Sequence, residues 1–169
     1  MLAIVLLVFG IISRFIVHIP NFTPVLSIAL FSGAYLDKRY AIWLPVVLMI
    51  LSDLVLGLHE TILFTWSSMA LICLLGFSLR EERTPLKIAS LSLASAIQFF
   101  IITNFGVWLV SHLYPMTWEG LKECFILAIP FFRATCASTI LYCFLLFGVY
   151  EFLAFWIRKT RFASVLLTN

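Results

Sequence analysis

Apolar runs follow one another through this chain with almost no polar sequence between them. A helix that crosses a bilayer needs about 20 predominantly apolar residues. Six candidate runs approach that length. They cover about 1–18, closed by "HIPNFTP"; about 22–37, closed by "DKR"; and about 40–57, closed by "GLHE". The others cover about 61–79, closed by "REERTPLK"; about 86–110, closed by "SHLYPMTWEG"; and a span within 121–157, closed by "RKTR". Charged residues make up 11% of the chain, against about 25% in soluble domains. No stretch is left for a separate soluble domain. The expectation is a single transmembrane domain over 1–169: an all-α integral membrane protein, a six-transmembrane-helix bundle.

The last apolar region is too long for one span. Pro130 lacks a backbone donor and clashes with the preceding turn. It is expected to separate an interfacial helix, about 119–129, from a spanning helix, about 131–157. The opening run "MLAIVLLVFGII" has neither a basic leader nor an A-x-A cleavage site, so it reads as a retained helix rather than a signal peptide. In the second run Ala29 and Gly33 form a small-xxx-small pair suited to close helix packing.

Orientation follows from the basic residues. Lys38 and Arg39, then Arg80, Arg83 and Lys87, then Arg158, Lys159 and Arg161 flank alternate ends of the runs, whereas Lys122 stands alone in the opposite loops. The positive-inside rule then expects both termini in the cytoplasm, N-in/C-in, in a bacterial inner membrane. The same scattering of single charges excludes a nucleic-acid surface, and the partner it suits is the lipid bilayer.

Depth can be counted along each run at about 1.5 Å per residue. Arg133 lies about 36 Å from the cytoplasmic end of its helix, near the outer boundary. Asp53 lies about 20 Å from Tyr40, and Asn104 about 26 Å from Lys87, both in the outer half. Arg14 is one turn from the outer end of the first run. Around this level lie His18, Asn21, Phe22, His59, Glu60, Trp66, Trp108, His112, Tyr114, Trp118 and Glu119. Intramembrane ionisable groups tend to face a bundle interior and mark a substrate path or a pair. The spacing is therefore expected to form a cup that opens outward, in which Arg133 binds ligand and Asp53 orients it. Structural roles stay open beside this: snorkelling for Arg14 and Arg133, a packing pair for Asp53, an interhelical hydrogen bond for Asn104, an interfacial belt for the aromatics.

No catalytic or metal pattern occurs: no GxSxG, no phosphate loop, no HExxH, and "HE" at 59–60 stands alone. The expectation is a protein that is not an enzyme and carries no cofactor or metal. Cys73, Cys124, Cys136 and Cys143 form no CxxC pair and read as small buried hydrophobes, with ligation of a bound cofactor by one thiol as the alternative. The competing functional classes are a structural or assembly membrane protein and a small intramembrane enzyme acting on lipid.

"PNFTPVLSIALFSGAYLDKR", "LSDLVLGLH", "TNFGVWL", "YPMTWEGLKECFILAIPFFRAT" and "LLFGVYE", which together reach across about 20–151, resemble small membrane proteins grouped with the S components of energy-coupling factor (ECF) transporters. Cobalamin-type S components look like near relatives. The resemblance implies a six-helix, N-in/C-in fold that binds a vitamin or cofactor precursor at the outer side, with cobalamin or a related corrinoid as the first candidate. It would place Asn21 and Phe22 in the first outer loop and Asp53, Asn104, Trp108 and Arg133 at or near the pocket. Arg14 and Trp66 join them by depth. It also implies a partner, an energising module made of a transmembrane coupling subunit and ATPases. The first run lacks the alanine-xxx-alanine docking pattern of such components, which leaves solitary action open.

Overall fold

A computed structural model describes residues 2–16 and 19–159. His18 and Arg161 lie outside the described residues. The described chain is helical: α1 (Leu2–Ile16), α2 (Val25–Tyr35), α3 (Lys38–Ala41), α4 (Trp43–Leu56), α5 (Ile62–Gly76), α6 (Pro85–Val110), α7 (Trp118–Leu127) and α8 (Ile129–Ile157), with a 3₁₀ turn at Phe77–Leu79. Local chemistry sets several boundaries. Thr84 caps α6, its hydroxyl accepting from Lys87 N, and Pro85 follows in the first turn, where no donor is missed. Thr117 caps α7 through Gly120 N. Gly57, at φ 111°, ends α4 in a conformation that favours glycine.

Four helical segments are long and apolar enough to cross a membrane: Lys38–Leu56, Ile62–Leu79, Pro85–Val110 and Ile129–Ile157. The chain thus has the make-up of a multi-pass membrane protein. Two of the six expected spans, the first and the short second, are not among these four. The first two apolar helices have 15 and 11 residues, about 23 and 17 Å, against a hydrocarbon core of about 30 Å.

The short α2 is the centre of the fold. Every one of its residues is buried, so it faces protein on all sides. It runs parallel to α8. Ser138 Oγ donates to Asn21 O just before α2 begins, and the Tyr35 hydroxyl at its end donates to Glu151. Those two points on α8 are 13 residues apart, about 20 Å. Between them Ser27 Oγ donates to Thr139 O at 2.9 Å.

Glycine brings α5 against α2. A Cβ on Gly33 would collide with Cys73 O, and one on Gly76 would collide with Leu30 O. Gly33 thus packs as expected of a small residue, but its counterpart across the interface is Gly76, on another helix. Gly10 does the same for α1, where a Cβ would strike the Leu48 side chain on α4.

The break expected near Pro130 is present. Helix α7 ends at Leu127, Ala128 forms the joint, and α8 begins at Ile129 with Pro130 in its first turn. At the basic end, Arg83 stacks 4.5 Å from the Tyr35 ring centroid and stands 3.8 Å from Glu151. Phe31, Tyr35, Phe147 and Tyr150 pack together beside this cluster. That end of the bundle is therefore closed by rings and paired charges.

Candidate functional site: two adjoining cavities at the end away from the basic clusters

Gly10 decides what happens one turn later on α1. The close approach it allows to Leu48 sets Arg14, four residues on, beside the last turns of α4. Arg14 Nη1 donates to Asp53 Oδ1 at 2.7 Å and to Ser52 Oγ, and lies 3.4 Å from Met49 Sδ. Trp66 Nε1 on α5 donates to the other carboxylate oxygen at 2.9 Å. His59 Nε2 stands 3.9 Å from that same oxygen. Asp53 is 1% exposed and Arg14 18%. Asp53 is thus a buried carboxylate held by two donors from two other helices, which offsets its desolvation.

Two cavities adjoin at this end of the bundle. One, about 240 Å³, is bordered by Arg14, Asn21, Thr23, Met49, Met69 and Thr135, among others. The second, about 220 Å³, is bordered by Thr65, Phe100, Thr103, Asn104, Phe132 and others. Asn21, Phe99 and Thr135 line both and form the wall between them. Asn21 adopts φ 61°, a left-handed conformation that asparagine tolerates better than most residues.

The two lobes differ in chemistry. In the first, the Arg14 guanidinium borders the cavity, its contacts to Asp53, Ser52 and Met49 all made through Nη1 among the described residues. In the second, Phe100 packs on Phe132 at 4.7 Å and edge-on against Phe125 at 5.4 Å. Thr65, Thr103 and Thr135 donate to carbonyls of Ile62, Phe99 and Phe131 on their own helices. Each hydroxyl oxygen keeps acceptor capacity. Asn104 Nδ2 likewise donates to Phe100 O, leaving its Oδ1 as an acceptor. One lobe therefore offers donors from a cation, and the other offers rings and acceptors.

Of the residues expected at this site, Arg14 and Asn21 line the first lobe, and Asn104 and Asn21 the second. Asp53 and Trp66 stand behind Arg14. Three others do not border either cavity. Phe22 packs edge-on against Tyr142 at 6.0 Å. Trp108 Nε1 donates to Pro115 O at 3.0 Å and ties the end of α6 to the following loop. Arg133 is exposed and has no partner among the described residues. The expected Arg133–Asp53 pair is thus replaced by Arg14–Asp53. The reason is helical register. Buried Thr135, Ser138, Thr139 and Cys143 mark the inward stripe of α8, and Arg133, two residues before Thr135, points about 200° away.

The sequence reading missed Thr135, Phe99, Phe100, Thr103, Met49 and Met69. The i, i+3, i+4 spacing of Thr135, Ser138 and Thr139 was an available signal, because polar residues on one helical face inside an apolar run face protein. Among the described residues, no group of three or more His, Cys, Asp and Glu side chains is placed to hold a metal ion.

No curated protein and no solved structure matches the chain. A family model does, over residues 1–163. The chain belongs to that family, a family of unknown function (DUF6580).

Proposed function

We propose that this protein is the substrate-binding membrane subunit of an uptake system for a vitamin or cofactor precursor. The observation that carries the reading is the bilobed cavity at one end of the bundle, with the Arg14 guanidinium in one lobe and the Phe100–Phe132 pair in the other. The resemblance to S components supports it. The lobes, at about 240 and 220 Å³, suit a compact molecule with one ring portion and one carbonyl, carboxylate or phosphate portion. A corrinoid would need this end of the bundle to open. An energising module made of a coupling subunit and ATPases is the partner this reading implies.

The membrane placement proposed with it is a bacterial inner membrane, six crossings and N-in/C-in. The cavities then face outward, and α2 is a short crossing shielded from lipid by its neighbours. Single cysteines at Lys38 and at Lys122, with the partly exposed Cys136 replaced, are expected to label from opposite sides of the membrane. Labelling of both from one side overturns the topology.

The binding reading is tested by mass spectrometry of small molecules that stay with the purified protein, followed by calorimetry with the one found. Asn104→Leu is expected to weaken binding by about 1–3 kcal/mol, the cost of a lost polar contact. Arg133→Ala is expected to bind like the parent. If nothing but lipid co-purifies and no compact vitamin-like compound binds, the reading fails.

A further inference from the structure

A third cavity lies at the basic end, on the outer surface of the bundle, between α1 and the α3–α4 unit. Its volume is about 240 Å³ and its walls are almost wholly apolar: Ile4 and Leu7 from α1, with Tyr40, Trp43, Leu44 and Val47 opposite. Tyr40 and Trp43 are each 66% exposed. The backbone is helical through Ile42, at φ −74° and ψ −38°, so α3 runs into α4 nearly in register. Arg39, Trp43 and Val47 therefore share one face at i, i+4 and i+8. Arg39 sits at the end of the groove, and Val47 lies about 12 Å below it. Lys38 is its neighbour. Both cations are exposed, and neither side chain has a protein partner among the described residues. Asp37, beside them, is engaged as the α3 cap, accepting from Arg39 N at 2.9 Å.

We propose that this groove binds one anionic phospholipid, its acyl chain lying along Leu7, Trp43 and Val47 and its phosphate held by Lys38 and Arg39. Three features fit that occupant together. The groove wall is almost wholly apolar. Tyr40 and Trp43 carry amphipathic rings of the kind that sit at headgroup level. Two unpaired cations stand at the groove's end, where a phosphate attached to the chain would lie. A neutral lipid uses only the first two features, and a peptide strand would leave its backbone groups unpaired in the groove.

The test is native mass spectrometry of the full chain released from bilayers of equal phosphatidylglycerol and phosphatidylcholine. The parent is expected to retain one phosphatidylglycerol in preference to phosphatidylcholine. Lys38→Gln with Arg39→Gln is expected to lower that preference by about tenfold. Leu7→Trp, which fills the groove, is expected to lower retention of both lipids. Melting temperatures close to the parent's show that the variants fold. Equal retention of the two lipids by the parent, or an unchanged preference in the double variant, overturns the proposal. So does a dimer of the parent that Leu7→Trp dissolves, because the groove is then the seat of a second copy.

Discussion

Asp53→Ala is expected to destabilise the detergent-solubilised protein by about 3–5 kcal/mol, the cost of removing one partner from a buried ion pair. Asp53 is 1% exposed and binds donors from α1 and α5 at 2.7 and 2.9 Å. Its removal leaves Arg14 with Ser52 and Met49 as neighbours and the Trp66 indole N–H without an acceptor. The loss should be read as a fall in melting temperature in one detergent and lipid mixture. Arg14→Ala in the same chain should restore part of it, because the uncompensated cation is then gone. A double variant as unstable as the sum of the two single ones would show that the pair does not couple α1 to α4. The same cycle bears on function. If Arg14 both pairs with Asp53 and donates to ligand, Arg14→Lys should weaken binding more than it lowers stability. A single flexible ammonium cannot hold two partners in the fixed geometry of a guanidinium.

Gly33→Ala and Gly76→Ala are each expected to cost about 3 kcal/mol, the upper end for overpacking. One added methyl is a small change, but at these positions it meets backbone. The Cβ at residue 33 runs into Cys73 O, and the Cβ at residue 76 into Leu30 O. Neither carbonyl can rotate away without breaking its helix. Nor can α2 retreat, because it is buried on every face. Gly148→Ala is the control, since nothing lies within 4 Å of a Cβ there. Its melting temperature should stay with or above the parent's, alanine being the better helix former. Equal stability of Gly33→Ala and Gly148→Ala would mean that α2 and α5 do not make this contact.

Much of the helical layout was legible from the order of the residues. The long apolar runs that become α4, α5, α6 and α8 are each closed by a charged or proline-containing stretch, and the break before α8 falls within two residues of Pro130. The level of Asp53, Asn104 and Arg14 was legible too, because rise along a helix is fixed. The helix count was less so. The second run is apolar throughout, yet hydropathy does not distinguish a helix that faces lipid from one that faces protein on all sides. The eleven residues of α2 are wrapped by α5, α6 and α8, so their apolarity reports a core.

Residue order thus carries lengths, levels and charge bias, quantities that depend on position along one helix. Which arginine meets Asp53 was decided only by tertiary structure. Arg14 and Arg133 lie near the same level, and level alone does not separate them. The choice depends on rotation about each helix axis and on how closely the helices approach. Gly10 draws α1 onto Leu48, which delivers Arg14 to Asp53. The stripe of Thr135, Ser138 and Thr139 turns α8 so that Arg133 faces out. The same rotation makes Thr135 the shared wall of the two cavities, and Gly33 meeting Gly76 sets how near α5 can come to α2. Those angles and separations come from side chains on different helices fitting together, and no count along a single helix contains them.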